Sequence, residues 1–161
     1  MNTIRQILAA LIFAVVSLGV QAADFVYDSV LDDAFTGNIL KTDTFKCALI
    51  NSTGVSAANI GSHTRFSDVT GEVTGTGYTA GGVTVVPTFT KDTTNHRLTI
   101  TIPSHNWPSS TITARGEVCY KSTGTASTSP LILLNDFTSD VTTSNGTFTV
   151  NASTIHFNTP Q

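Results

Sequence analysis

Thr111-Ile112-Thr113-Ala114-Arg115-Gly116-Glu117-Val118-Cys119-Tyr120-Lys121 alternates in character along its length. Ile112, Ala114, Val118 and Tyr120 share one parity; Arg115, Glu117, Cys119 and Lys121 share the other. Successive side chains leave a strand on opposite sides, so a period of two marks a strand with one dry and one wet face. On this assignment Glu117 lies beside Arg115 on a solvated face, and a surface ion pair is the plain reading.

The same period recurs on both sides of this stretch. Strands are expected at about 43–51, 82–90, 96–102, 110–121, 130–137 and 146–157. Lys91-Asp92-Thr93-Thr94-Asn95 carries the turn chemistry of a hairpin, and Ser139 to Gly146 reads as a second reversal. Pro87 falls inside the second strand and marks it as an edge or a bulge, since proline donates no ladder hydrogen bond. Only Asp24 to Phe35 has a helical pattern, with Tyr27, Val30, Leu31, Ala34 and Phe35 at three-and-four spacing. Asp24 or Asp28 stands where a cap belongs, and Gly37 stands where a helix ends. Two polar connections, Asn51 to Gly82 and Lys121 to Pro130, are long enough to carry function. No fixed-period repeat and no second domain is evident. The economical architecture is all-β: an antiparallel β-sandwich of about six to seven strands with one short N-terminal helix.

Composition agrees. Charged residues are 12% of the 161 residues, while 29 are Thr and 15 are Ser. Threonine is β-branched and suits a pleated, half-wet surface. The net charge is −3 and there is no Lys/Arg cluster. A nucleic-acid partner is therefore set aside, because phosphate neutralisation requires a basic stripe.

Residues 1–22 read as a secretory signal peptide. Arg5 precedes a charge-free run of 14 residues, Ile7 to Val20, and Val20 and Ala22 are small residues placed for a cut before Ala23. A membrane-spanning helix needs about 20 apolar residues, so a retained anchor is the lesser reading and no membrane span is expected after cleavage. The mature chain, residues 23–161, is expected to form a single domain outside the cytoplasm.

In that compartment Cys47 and Cys119 can form a disulfide. Cys47 shares a face with Phe45 and Leu49, whereas Cys119 shares one with charged residues. A bond needs a bulge near Gly116 or neighbouring strands with matched faces. The alternative is two separate small apolar residues.

Chemistry-bearing constellations are sparse. Asp24, Asp28, Asp32 and Asp33 have helical spacing rather than that of a calcium loop, so helix-dipole complementarity explains them better than a metal. His63, His96, His105 and His156 lack ligand spacing. Glu72 and Glu117 are the only glutamates, and no nucleophile elbow is present. No catalytic residue, metal or cofactor is assigned. Trp107, flanked by His105 and Asn106 and set between Pro103 and Pro108, reads as a plug for one end of the sandwich or as a sugar-stacking platform. Tyr78 is a second candidate for such a platform. Asn51-Ser52-Thr53, Asn145-Gly146-Thr147 and Asn151-Ala152-Ser153 fit the N-glycosylation pattern, which matters only in a eukaryotic producer.

Asp43 to Lys46 (DTFK), His63 to Val85 (HTRFSDVTGEVTGTGYTAGGVTV), Ser109 to Arg115 (SSTITAR) and Tyr120 to Ile132 (YKSTGTASTSPLI) resemble small structural proteins of tailed bacteriophages, of the head-fibre, decoration or tail-associated kinds. The resemblance spans roughly residues 24–157, and Ser67 to Gly82 is its most distinctive part. It implies a non-catalytic β-domain that assembles with itself, as a trimer by analogy, or docks on another virion or cell-surface protein. The signal peptide departs from that pattern, because such virions assemble in the cytoplasm. A relative recruited for use outside the cell, assembly at an envelope, and an N-terminal anchor or assembly peptide all reconcile the two. The alternative function is an exported carbohydrate-binding or adhesive module, which would expose Trp107 or Tyr78 in a polar groove to a glycan. An enzyme would instead gather His, Asp or Glu with shifted pKa values in one pocket.

Overall fold

The computed structural model describes residues 23–158; the expected signal peptide lies outside them. The chain forms β1 (Ala23–Val26), α1 (Ser29–Phe35), β2 (Phe45–Ile50), β3 (Val83–Val85), β4 (Thr88–Asp92), β5 (Arg97–Ile102), β6 (His105–Lys121), β7 (Leu131–Val150) and β8 (Ser153–Asn158). One sheet has the order β1-β7-β6-β2-β3 and the other β4-β5-β8. Every pairing is antiparallel. The expected all-β sandwich is present, with eight strands rather than six or seven. No helix among the described residues is long and apolar enough to cross a membrane.

The extra strands arise where local signals compete. Pro87 divides the expected strand 82–90 into β3 and β4, which become edges of different sheets. The 91–95 turn forms as expected, with Asp92 Oδ1 accepting from Thr94 N and Asn95 N at 3.1 and 3.0 Å. The reversal expected at 139–146 does not occur. These residues continue β7, still paired with β6. The ribbon bends instead, at positive-φ residues Ser109, Thr138 and Asn145 and at several breaks in register. Phe137 and Phe148 of β7 consequently have ring centroids 6.1 Å apart, although an extended strand advances about 3.3 Å per residue.

The N-terminal helix is shorter than its pattern. Ala23–Val26 pairs with β7, and only Ser29–Phe35 is helical. Asp28 precedes the helix but its side chain makes no capping hydrogen bond, and Asp24 lies in β1. The inward face also differs: Val30 and Asp33 are buried, while Leu31 and Phe35 are exposed. The reason is an ion pair. Arg65 donates from Nη1 and Nη2 to the two oxygens of Asp33 at 2.8 and 3.0 Å, turning that carboxylate inward.

The main core joins the sheets, with Phe45, Cys47, Cys119 and Leu133 from the first and Ile102 and Ile155 from the second. A second cluster fills the bend of the ribbon with Leu49, Trp107, Ile112, Phe137, Phe148 and Val150. Each large side chain removed from water contributes about 1.5–3 kcal/mol, which explains why the polar loops close over both. Cys47 and Cys119 are directly opposed on β2 and β6 and form the disulfide. Both routes foreseen for it are present: matched faces on neighbouring strands, and a register shift between Ala114 and Gly116. Cys119 is 1% exposed, so its face is part of the core and not solvated.

Candidate functional site

The most concentrated polar chemistry is inside the sandwich. Strand register aligns Asp24 of β1 with Asn135 of β7, Asn135 with Glu117 of β6, and Glu117 with Leu49 of β2. The chain then turns a corner between the sheets. Ile102 pairs with Ser153, and across Pro103-Ser104 on one strand and Asn151-Ala152 on the other the pairing resumes at His105 with Val150. That corner brings His105 and Ser153 onto the polar row. Ser104 Oγ braces it by donating to Val150 O at 2.9 Å.

A continuous chain of hydrogen bonds results. His105 Nε2 lies 2.9 Å from Glu117 Oε2. Asn135 Nδ2 donates to Glu117 Oε1 at 3.2 Å and to Ser153 Oγ at 3.3 Å. Ser153 Oγ donates to Asp24 Oδ1 at 3.2 Å. Glu117 and Asn135 are 0% and 2% exposed. The surface ion pair expected for Glu117 is therefore corrected: its partner is His105, not Arg115. Arg115 pairs with Asp136 instead. A charged carboxylate is expensive to bury alone, and this one is kept by two donors. It also lies against the disulfide, its oxygen within 4.8 Å of both sulfurs; those sulfurs are bonded to each other and hold no thiolate for a metal.

Hydrogen-bond logic counts the protons. His105 Nδ1 is 2.9 Å from Pro103 O, and a carbonyl only accepts. Nδ1 thus carries a proton, and a second proton lies between Nε2 and Glu117 Oε2. Burial opposes the charged ring, but the hydrogen bond and charge of Glu117, with the Pro103 carbonyl, outweigh it and raise the His105 pKa. Burial also raises the Asp24 carboxyl against the opposing hydrogen bond from Ser153, and the charge of Glu117 adds to the rise.

Trp107, Tyr78 and His105 come together, and Asn106 does not join them. Trp107 is 2% exposed, and its ring centroid lies 6.0 Å from Tyr78, 5.4 Å from His105 and 6.0 Å from Phe148. As placed, the indole packs as a core plug, the first of its two sequence readings, with no face turned outward to a sugar. The Tyr78 hydroxyl is also committed: it donates to Glu72 Oε1 at 2.8 Å and accepts from Leu49 N at 3.1 Å. Burial and the neighbouring Glu72 carboxylate raise its pKa. Asn106 is exposed on the opposite face of β6.

A separate open groove of about 370 Å³ lies outside the ribbon, with Asn51, Glu72, Thr74, Thr111, Thr113 and Thr142 among its lining residues. It presents hydroxyls, an amide and a carboxylate, without an aromatic floor.

Sequence reasoning missed Asn135, Ser153 and Asp24. A signal for them existed: Asn135 has the parity of Leu131 and Leu133, and Ser153 that of Ile155 and Phe157, so each is a polar residue at an inward position. Comparison with protein-family models, with curated proteins and with solved structures returned no match.

Proposed function

We propose that this is a non-enzymatic structural protein of virion-like character, exported, whose β-sandwich works by assembling with copies of itself or by docking on a virion or cell-surface partner. One observation carries the reading. Around α1 and the β3–β4 corner, Leu31, Phe35, Leu40 and Val86 are 49%, 88%, 51% and 77% exposed. Leu31 and Phe35 are one helical turn apart on the same face. Ile39, Val85 and Pro87 line one apolar cavity, while their chain neighbours Leu40 and Val86 are turned to solvent. Large apolar groups gathered outside a filled core mark an interaction surface. The low charge of the chain supports the same reading, since copies repel one another little.

Light scattering on the mature chain over a concentration series tests this. A homo-oligomer is expected, weakened by Phe35→Ser without loss of the fold. A strictly monomeric mass at high concentration would remove self-assembly. The Thr-lined groove of Asn51 and Glu72 would then favour the second reading, an exported glycan-binding or adhesive module, with binding lost in Glu72→Gln.

A further inference from the structure

We propose that Ser153 and Asn135 react with each other to form an intramolecular ester that covalently joins the two sheets. This goes beyond the assembly reading and stands independently of it.

Ser153 supplies a buried hydroxyl, 5% exposed, at the first position of β8. Asn135 supplies a primary amide, 2% exposed, in β7. The hydroxyl oxygen is 3.3 Å from the amide nitrogen, which places it at most about 4.6 Å from the carbonyl carbon, given a C–N bond of about 1.33 Å. A rotation of the Asn135 amide about its terminal torsion is needed to turn its carbonyl carbon toward the hydroxyl, and a pair brought to about 3–3.5 Å in this way gains from proximity.

The flanking groups match the proton transfers that the step needs. The serine hydroxyl already donates to Asp24 Oδ1 at 3.2 Å, so that carboxylate is positioned to take its proton. The amide nitrogen already faces Glu117 Oε1 at 3.2 Å, and Glu117 shares a proton with His105. Asn135 Oδ1 is buried and makes no hydrogen bond among the described residues. The amide is therefore held by its nitrogen, the part that would depart. Two carboxylates stand on either side of one hydroxyl–amide pair, one next to the nucleophile and one next to the leaving group.

The step balances without an oxidant, reductant or cofactor. Ser153 Oγ attacks Asn135 Cγ and its proton passes to Asp24. The C–N bond breaks as the nitrogen receives the proton shared by Glu117 and His105, and ammonia leaves. The proton on Asp24 is released to solvent and the His105–Glu117 pair is recharged from solvent. The product is Ser153 Oγ–Cγ Asn135 plus one ammonia. Asn135 belongs to the five-stranded sheet and Ser153 to the three-stranded one, whereas the disulfide joins neighbours within the first sheet. The ester would add a side-chain tie between the sheets to the chain connections at the β5–β6 and β7–β8 corner, a useful property in a structural protein outside the cell.

Intact-mass measurement on the full chain expressed with export, unreduced and freshly purified, decides the matter. The expected mass falls short of the disulfide-bonded sequence by one ammonia. Lys121 is the last lysine or arginine, so one tryptic peptide covering 122–161 should carry the whole deficit. Fragmentation should give no backbone series between 135 and 153 until hydroxylamine opens the ester and leaves a hydroxamate on residue 135. Ser153→Ala should have its full mass. A full mass in the wild-type protein overturns the proposal. A deficit that persists in Ser153→Ala also overturns it and points to succinimide formation at Asn145-Gly146.

Discussion

His105 Nε2 and Glu117 Oε2 lie 2.9 Å apart inside the sandwich, and one proton is held between them. The pair ties the β5–β6 corner to the polar row beneath it. A histidine whose folded pKa is raised stabilises the protein fully below its unfolded value of about 6.5. That contribution is lost as pH rises through the folded value.

Thermal stability of the wild type should therefore decline as pH rises above the unfolded histidine value of about 6.5 and through the raised His105 value, with Asp24 acting in the same direction at lower pH because its carboxyl is also raised. In His105→Gln the decline above about pH 6.5 should shrink. Melting curves measured across this range check the claim, and parallel pH profiles for the two proteins would sink it.

The disulfide should be stabilising and resistant in the native state. Cys47 and Cys119 are separated by 72 residues and are 0% and 1% exposed. Closing a loop of that size stabilises by about 4 kcal/mol in the chain-entropy model. The Cys47→Ala/Cys119→Ala double variant should lose about that much in a denaturant titration. Thiol labelling of the wild type under dithiothreitol should become rapid only where the protein unfolds.

Among the described residues, Arg65 is the basic partner of the buried carboxylate of Asp33. Asn38 Nδ2 also donates to it, at 3.1 Å, but brings no charge. Replacing Arg65 by Met should cost about 3 kcal/mol, at the low end for a broken buried pair because the guanidinium is partly exposed. Lysine should recover only part of the loss, since it cannot reproduce the two-pronged contact. Equal stability of wild type and Arg65→Met by urea titration would contradict this.

Gly82 has φ of +71°, and a Cβ there would collide with the carbonyl oxygen of Cys47. The close approach lets β3 pair with β2 directly after the loop. Gly82→Ala should destabilise by more than about 2 kcal/mol, combining left-handed strain with displacement of the β2 backbone. Gly37→Ala offers a control, because its Cβ would meet nothing within 4 Å and only the φ of +78° opposes it.

Glu117 shows how far local pattern reaches. Alternation placed it on one face with Arg115 and Cys119, and the charges suggested that this face is wet. Parity tells which side chains share a face but not what covers that face. Here the corner where β5 leads into β6 and β7 into β8 covers it, with His105 at the start of β6 and Ser153 at the start of β8 in the second sheet. Leu31 and Phe35 fail in the opposite sense. Their helical spacing with Val30 suggested burial, yet the short helix is oriented by Asp33 and its distant partner Arg65, which leaves both apolar side chains outside.

The sequence by itself determined the all-β class, the edge character at Pro87 and the turn at 91–95, because pleat period, proline's missing donor and Asx hydrogen bonding act over a few residues. Only the tertiary structure decided the rest. It opposed Cys47 to Cys119, bent the β6–β7 ribbon where a reversal was expected, buried Trp107, and assembled Asp24, Asn135, Glu117, Ser153 and His105 into one hydrogen-bonded row. Those outcomes depend on strand register and on which layer covers which face, and both are set by contacts between residues far apart in the chain.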